Sequence, residues 1–179
     1  MSRTILTTER LRLREAVLDD APFFHTLINE PGWQRWINPV AMPDLAAART
    51  YIQERVLAMY AQYGIGLWVM ESGEDATPLG LCGLLRRDFT KDMDLGYALL
   101  EAFQGKGFVA EASKGVLDYG FQTLEAARIT AYTNPENIRS IRVLEKLGFS
   151  FMHLMPWPGN EESRSSVFEL WREDQGRQA

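Results

Sequence analysis

Between Glu9 and Arg14, charged residues alternate with Leu11 and Leu13, a period of two that predicts a half-buried strand. Asp19 or Asp20 then stands where a helix is capped, ahead of Phe23, Phe24, Leu27 and Ile28 at helical spacing. Pro31 to Pro39 reads as a loop carrying Trp33 and Trp36. Pro43 and Asp44 open a longer helix with Leu45, Ile52, Val56, Met59 and Tyr63 on one face, and Gly64 closes it. Three strands follow, Ile65–Glu71, Leu79–Arg87 and Asp92–Leu100. The turn-forming stretches Ser72–Asp75 and Asp88–Lys91 join them into an antiparallel meander.

A helix over about Phe108–Thr123, with Ala112, Val116 and Tyr119 inward, leads to a strand at Arg128–Thr133. A second helix, Asn137–Leu147, is stopped by Gly148 and precedes strands Phe149–Met155 and Ser165–Arg172. The polar tail beyond Glu173 is expected to fray. A helix between two strands of one sheet implies a right-handed crossover and parallel pairing, so Asp92–Leu100 and Arg128–Thr133 should lie side by side. The pattern therefore predicts an α/β fold of the α+β kind. Its mixed, mostly antiparallel sheet has about seven strands, helices on both faces and a parallel pair at its centre.

Composition narrows the class. The 179 residues, 46% hydrophobic and 24% charged, suit one globular domain over residues 1–179. The segment Met1–Glu15 lacks an apolar run with a small-residue cleavage site, and no stretch is long enough to cross a bilayer. The lone Cys82 excludes an internal disulfide, so the cytoplasm is the expected compartment and no membrane partner is expected. A net charge of −5 argues against nucleic acid as the partner.

Chemistry concentrates where the parallel crossover begins. In Gln104-Gly105-Lys106-Gly107-Phe108-Val109, two residues without Cβ allow a tight turn and close backbone approach. The helix that follows presents unsatisfied amides at the positive end of its dipole, which suits an anion, although a plain structural turn fits the same fragment. The loop lacks both the Walker A ending and the Gly-x-Gly-x-x-Gly fingerprint, which sets aside a Rossmann-type nucleotide fold.

Taken with Asp94-Leu95-Gly96-Tyr97-Ala98-Leu99-Leu100, the run Gln104 to Ala112, the run Asn134 to Phe149 and the opening Thr8-Glu9-Arg10-Leu11-Arg12-Leu13-Arg14, the chain resembles the GNAT superfamily of N-acetyltransferases, nearest its RimJ/RimL-type branch. The resemblance implies a GNAT fold and acetyl-CoA as cosubstrate. It implies that Gln104, Gly105, Lys106, Gly107, Phe108 and Val109 form the pyrophosphate loop, with Val109 in place of the family's final small residue. By the same likeness Ala98, Leu99 and Leu100 flank the pantetheine arm, and Asn134 and Asn137 open the second motif. Asn137 is the better candidate to bond that arm, while as a residue type it equally suits a helix N-cap.

Acetyl transfer needs a neutral amine, stabilised charge on the carbonyl oxygen and a proton for the departing thiolate. The tyrosine that many GNATs use as that acid is matched here by Leu144, and the resemblance puts Ser140 near the sulfur instead. Asp94 is the candidate base, a solvated strand carboxylate being the alternative; Glu169, Glu161, Glu162, His153 or a water relay could also serve. Cys82 lies in an apolar strand without a local histidine, which speaks for burial over nucleophilic use. No His, Cys or acid pattern has metal-ligand spacing, so no metal is expected. Trp33 and Trp36 fall where the fold walls the acceptor site, with core packing the competing role. The expected reaction is direct transfer to a primary amine, on a protein N-terminus or a small molecule. A non-catalytic acyl-CoA sensor is the alternative, and monomer and homodimer both fit.

Overall fold

The computed structural model describes residues 2–177. Strands β1 (Thr4–Thr7) and β2 (Leu11–Arg14) open the chain, followed by helices α1 (Ala21–Asn29), α2 (Pro31–Trp36) and α3 (Leu45–Tyr51). A π-helical turn, Ile52–Leu57, joins α3 to α4 (Ala58–Tyr63). The meander β3 (Leu67–Ser72), β4 (Pro78–Arg86) and β5 (Met93–Leu99) leads into α5 (Phe108–Asp118), which continues as a π turn to Thr123. Strand β6 (Arg128–Thr133), helix α6 (Ile138–Lys146) and strands β7 (Ser150–Trp157) and β8 (Asn160–Trp171) complete it. One sheet of eight strands results, in the order β1-β2-β3-β4-β5-β6-β8-β7. The β5–β6 pair is its one parallel pairing among the described residues.

Alternation along the strands divides the apolar residues between two cores. Leu11, Leu13, Trp68, Met70, Leu84, Leu95 and Ile129 pack under α5 and α6. Val69 and Leu81 face the other way, under Phe24, Leu27, Ile28, Ile52 and Val56 of the α1–α4 layer. Helices thus cover both faces, as the pattern predicts.

Several expectations need correction. The strand expected at Glu9–Arg14 is β2, and a further strand, β1, precedes it through a turn in which Thr8 N donates to Leu11 O at 2.8 Å, so the sheet has eight strands. Asp20 does not cap α1 with its side chain. Its carboxylate instead accepts Val17 N at 2.8 Å and both terminal nitrogens of Arg14 at 2.8 and 2.7 Å. Arg14 also bonds the buried Glu71 at 2.7 Å, so the charges inside β2 and β3 compensate one another. Pro31–Trp36 is helical because Pro31 occupies the first helical position, where its missing N–H costs nothing. Leu45 and Tyr63 are exposed. Leu45 is the first residue of α3, ahead of the inward positions Ala48, Ile52 and Val56, while Tyr63 lies beyond the π turn, which is wider than an α turn, so that a stripe extrapolated at 3.6 residues has drifted off that face. Asp44 caps α3 through Ala47 N at 2.8 Å, and Gly64 ends α4 at φ 70°. The tail forms a 3-10 stretch over Arg172–Arg177; residues 178–179 lie outside the described residues.

Candidate functional site

The loop after β5 is shaped by its glycines. Gly105 has φ 77° and Gly107 φ 81°, left-handed conformations that side chains resist. Gly107 is the N-cap of α5 and supplies no capping side chain. A Cβ on Gly105 would meet nothing within 4 Å, and one on Gly107 only the Arg10 guanidinium at 3.6 Å. The start of α5 is therefore open on the side where the loop is bare backbone. Lys106 is exposed, its ammonium 5.5 Å from the Phe103 ring, and Phe108 and Val109 form the first turn of α5.

Beside this loop the sheet parts. The β5–β6 ladder has two rungs, Met93↔Ile129 and Asp94↔Thr130, although both strands run on, to Leu99 and Thr133. Ala98 and Leu100 pack towards the α1–α4 layer, and Leu99 towards α5 and α6. The Gln104 amide reaches Leu99 O at 3.4 Å, and its oxygen accepts from Arg139 Nη1 at 2.8 Å, tying the loop to α6. Asn137 caps α6, its Oδ1 accepting Ser140 N at 3.2 Å. Its Nδ2 has no hydrogen-bond partner among the described residues. Asn134 shapes the preceding turn, accepting Glu136 N at 2.8 Å.

Two polar pairs flank the opening, on opposite faces of β5. On the α6 side, Ser140 Oγ lies 2.9 Å from Tyr97 Oη, which also donates to Ser140 O at 3.2 Å. Burial pushes the Tyr97 hydroxyl up to about 12, against a lowering contribution from Ser140. Leu144, at the position of the family's tyrosine, is core. On the α1–α4 side stands Asp94, 1% exposed rather than solvated. Arg87 Nε and Nη2 both reach Asp94 Oδ2 at 2.6 Å. Burial raises the Asp94 carboxyl to about 6, and the Arg87 charge restrains the rise.

Aromatic rings complete this side. The Arg87 guanidinium sits 5.1 Å over Trp157, which meets Phe89 and Tyr132 edge-on at 5.6 and 6.1 Å. Burial raises the Tyr51 hydroxyl, while the charges of Arg55 and Arg87 act to lower it. Trp33 is 6% exposed within the α1–α4 core, which leaves Trp36, half-buried with Arg35 4.4 Å over its ring, nearer the surface.

Of the other candidates, Glu169 and His153 line one cavity with Phe89 and Tyr132. Glu169 is ion-paired with Arg128 at 3.0 Å, and Arg128 also holds Asp92 at 2.6 Å. His153 and Glu162 are exposed, and the Glu161 side chain lies outside the described residues. Cys82 is fully buried beside Ser113, and burial pushes its thiol up to about 12, opposite to what a nucleophile needs. Among the described residues no group of three or more His, Cys, Asp or Glu could hold a metal, and no helix is long and apolar enough to cross a membrane.

Sequence reasoning missed Arg87, Tyr97, Tyr132 and Trp157 as site residues. For Tyr97 a signal existed: odd and even positions of β5 face opposite ways, which turns Tyr97 towards α6. The Arg87–Asp94 pair depends on the β4–β5 register, Leu85↔Asp94, which no local pattern carries.

These features define an α/β acyltransferase architecture, with a split parallel pair beside a glycine loop. The family model of the acetyltransferase (GNAT) domain matches residues 10–150, and the chain belongs to that family. It is 35% identical over 147 residues to the uncharacterised N-acetyltransferase p20 of Bacillus licheniformis, covering 80% of this chain and 81% of that protein. In structure it resembles the acetyltransferase from Agrobacterium tumefaciens str. C58, with a TM-score of 0.79, 26% identity and 95% of each chain covered. It shares its fold with RimL, the ribosomal L7/L12 α-N-protein acetyltransferase, at a TM-score of 0.81 and 17% identity over 96% and 95% of the two chains. The protein is an N-acetyltransferase, and its family draws the acetyl group from acetyl-CoA.

Proposed function

We propose that this enzyme transfers acetyl from acetyl-CoA to a primary amine, on a protein N-terminus or a small molecule, by direct attack while both substrates are bound. The observation that carries the reading is the split between β5 and β6 beside the uncapped, two-glycine loop. Acetyl-CoA supplies an acyl group already activated as a thioester. Residues Gln104–Val109 bind the pyrophosphate through loop amides and Lys106. The backbone of Ala98–Leu100 and the Asn137 side-chain amide, with Asn134 shaping the turn, guide the pantetheine arm into the split. Ser140, backed by Tyr97, donates a proton at the sulfur; Asp94, held by Arg87, accepts one from the amine. Trp36 and the Trp157–Tyr132–Phe89 rings wall the acceptor cleft. A single, buried Cys82 suits the reducing cytoplasm.

The test is a thiol-release assay over amino acids, polyamines and short peptides, followed by initial rates with the best acceptor. Intersecting double-reciprocal lines are expected. Parallel lines, or an acetylated enzyme isolated without acceptor, would overturn direct attack, and CoA binding without thiol release across the panel would overturn the catalytic reading.

A further inference from the structure

The opening motif Thr8–Arg14 plays no part in the chemistry above, yet its turn is bonded to the cofactor loop about a hundred residues later. Glu111, in the first turn of α5, receives it. Glu111 Oε1 accepts Thr8 Oγ1 at 2.5 Å and Arg10 N at 2.9 Å, while Oε2 accepts Arg10 Nε and Nη2, each at 2.6 Å. Arg10 Nη1 donates to Lys106 O at 3.1 Å, and the guanidinium lies 4.6 Å over the Phe108 ring. Burial alone would raise the Glu111 carboxyl, but its bonds to Thr8 and Arg10 hold it below the usual carboxylate range. The acid is therefore a fixed anion, favourably placed near the N-terminus of α5.

The bond to Lys106 O has a geometric consequence. In a trans peptide the carbonyl and the following N–H point in opposite directions. Fixing Lys106 O towards Arg10 thus aims the Gly107 N–H the other way. Gly107, which carries one of the two dihedrals about that peptide and stands at φ 81°, would otherwise let it rotate at little cost, since glycine populates both signs of φ. We propose that Arg10 is a positioning residue of the cofactor site: through Glu111 and Lys106 O it locks the Lys106–Gly107 peptide in the orientation that presents the Gly107 amide to the pyrophosphate. This rests on the assignment of the loop to pyrophosphate binding. The turn keeps a second attachment to α5, because a Cβ on Gly115 would lie only 3.1 Å from Leu6 and 3.3 Å from Thr8. Losing the Arg10 side chain therefore frees the peptide without undocking the strand.

Calorimetric titration of CoA into the wild type, Arg10→Ala, Arg10→Lys and Glu111→Gln tests this, together with acetyl-CoA kinetics and melting curves. A loop that is competent a tenth of the time binds about tenfold more weakly, so Arg10→Ala should raise Kd by about tenfold or more. The KM for acetyl-CoA should rise with it while kcat at saturation changes less. Arg10→Lys, keeping the charge but not the fork, should recover part of the loss. Glu111→Gln should weaken binding in the same direction, and it carries the test if Arg10→Ala does not fold. A lowered melting temperature with Kd within about twofold of wild type for both Arg10→Ala and Glu111→Gln would show only a structural contact and overturn the proposal, because a freed peptide must tax binding. Wild-type protein that binds no CoA would overturn the pyrophosphate assignment itself, and this inference with it.

Discussion

Asp94 combines near-complete burial with a doubly bonded arginine at the last rung before β5 and β6 part. Burial raises its carboxyl to about 6, so the anion, the form the proposed base requires, is the major form at neutral pH. As pH falls through about 6 the carboxyl protonates, and acetylation should fall with it. Asp94→Asn should lower kcat/KM for the amine by about a hundredfold or more, the range of general base catalysis, and erase the inflection near pH 6. A pH–rate profile of the variant that keeps this inflection would assign it to another group. Across the split, Ser140 and Tyr97 share a 2.9 Å contact whose proton can lie on either oxygen. Ser140→Ala should reduce kcat by about ten- to a hundredfold with CoA affinity nearly unchanged. Titration beside steady-state kinetics checks this, and equal losses in both would point to packing.

Strand β4 shows how closely the elements approach. A Cβ on Gly83 would stand 2.0 Å from Gly66 O, a backbone atom that cannot yield without parting β3 from β4. Gly83→Ala should therefore destabilise the fold by about 3 kcal/mol or more, read as a drop in denaturation midpoint, whereas Gly105→Ala meets open space and strains only its own φ. The elements legible in the sequence were those with a strong period or punctuation: the β3–β5 meander, Arg128–Thr133 to the residue, and α6 between Asn137 and Gly148. What escaped had no local signature. Thr4–Thr7 sets Ile5 and Leu6 side by side and so shows no alternation, Pro31–Trp36 has Pro and Gly where a loop is expected, and the π turn at Ile52–Leu57 changes the period itself. At the candidate site, the loop and asparagines could be proposed from the sequence because they lie in contiguous motifs. Arg87, Tyr132 and Trp157 come together only through strand register, which is set by packing.

For the whole molecule, the split that opens the site also divides the sheet. Strands β1 to β5 pair along their lengths, as do β6, β8 and β7, but two rungs join the groups. In the proposed mechanism the chemistry lies at this seam: Asp94 stands on the α1–α4 side of β5 and Ser140 on the α6 side, and the gap between the strands is where one ligand would reach both. A seam this narrow is also a thermodynamic boundary. Amides on β6, β8 and β7 are expected to exchange with deuterium as one cooperative block, ahead of those on β3 and β4, because separating that block breaks few ladder bonds. CoA seated in the split as proposed should hold the two groups together by mass action, by about 2.7 kcal/mol at a hundred times Kd. Mass-spectrometric exchange should then show the block slowed far more than the α1–α4 layer. Uniform exchange across both groups, unaffected by CoA, would mean that the two rungs and the helices bridging them already weld the sheet into a single unfolding unit.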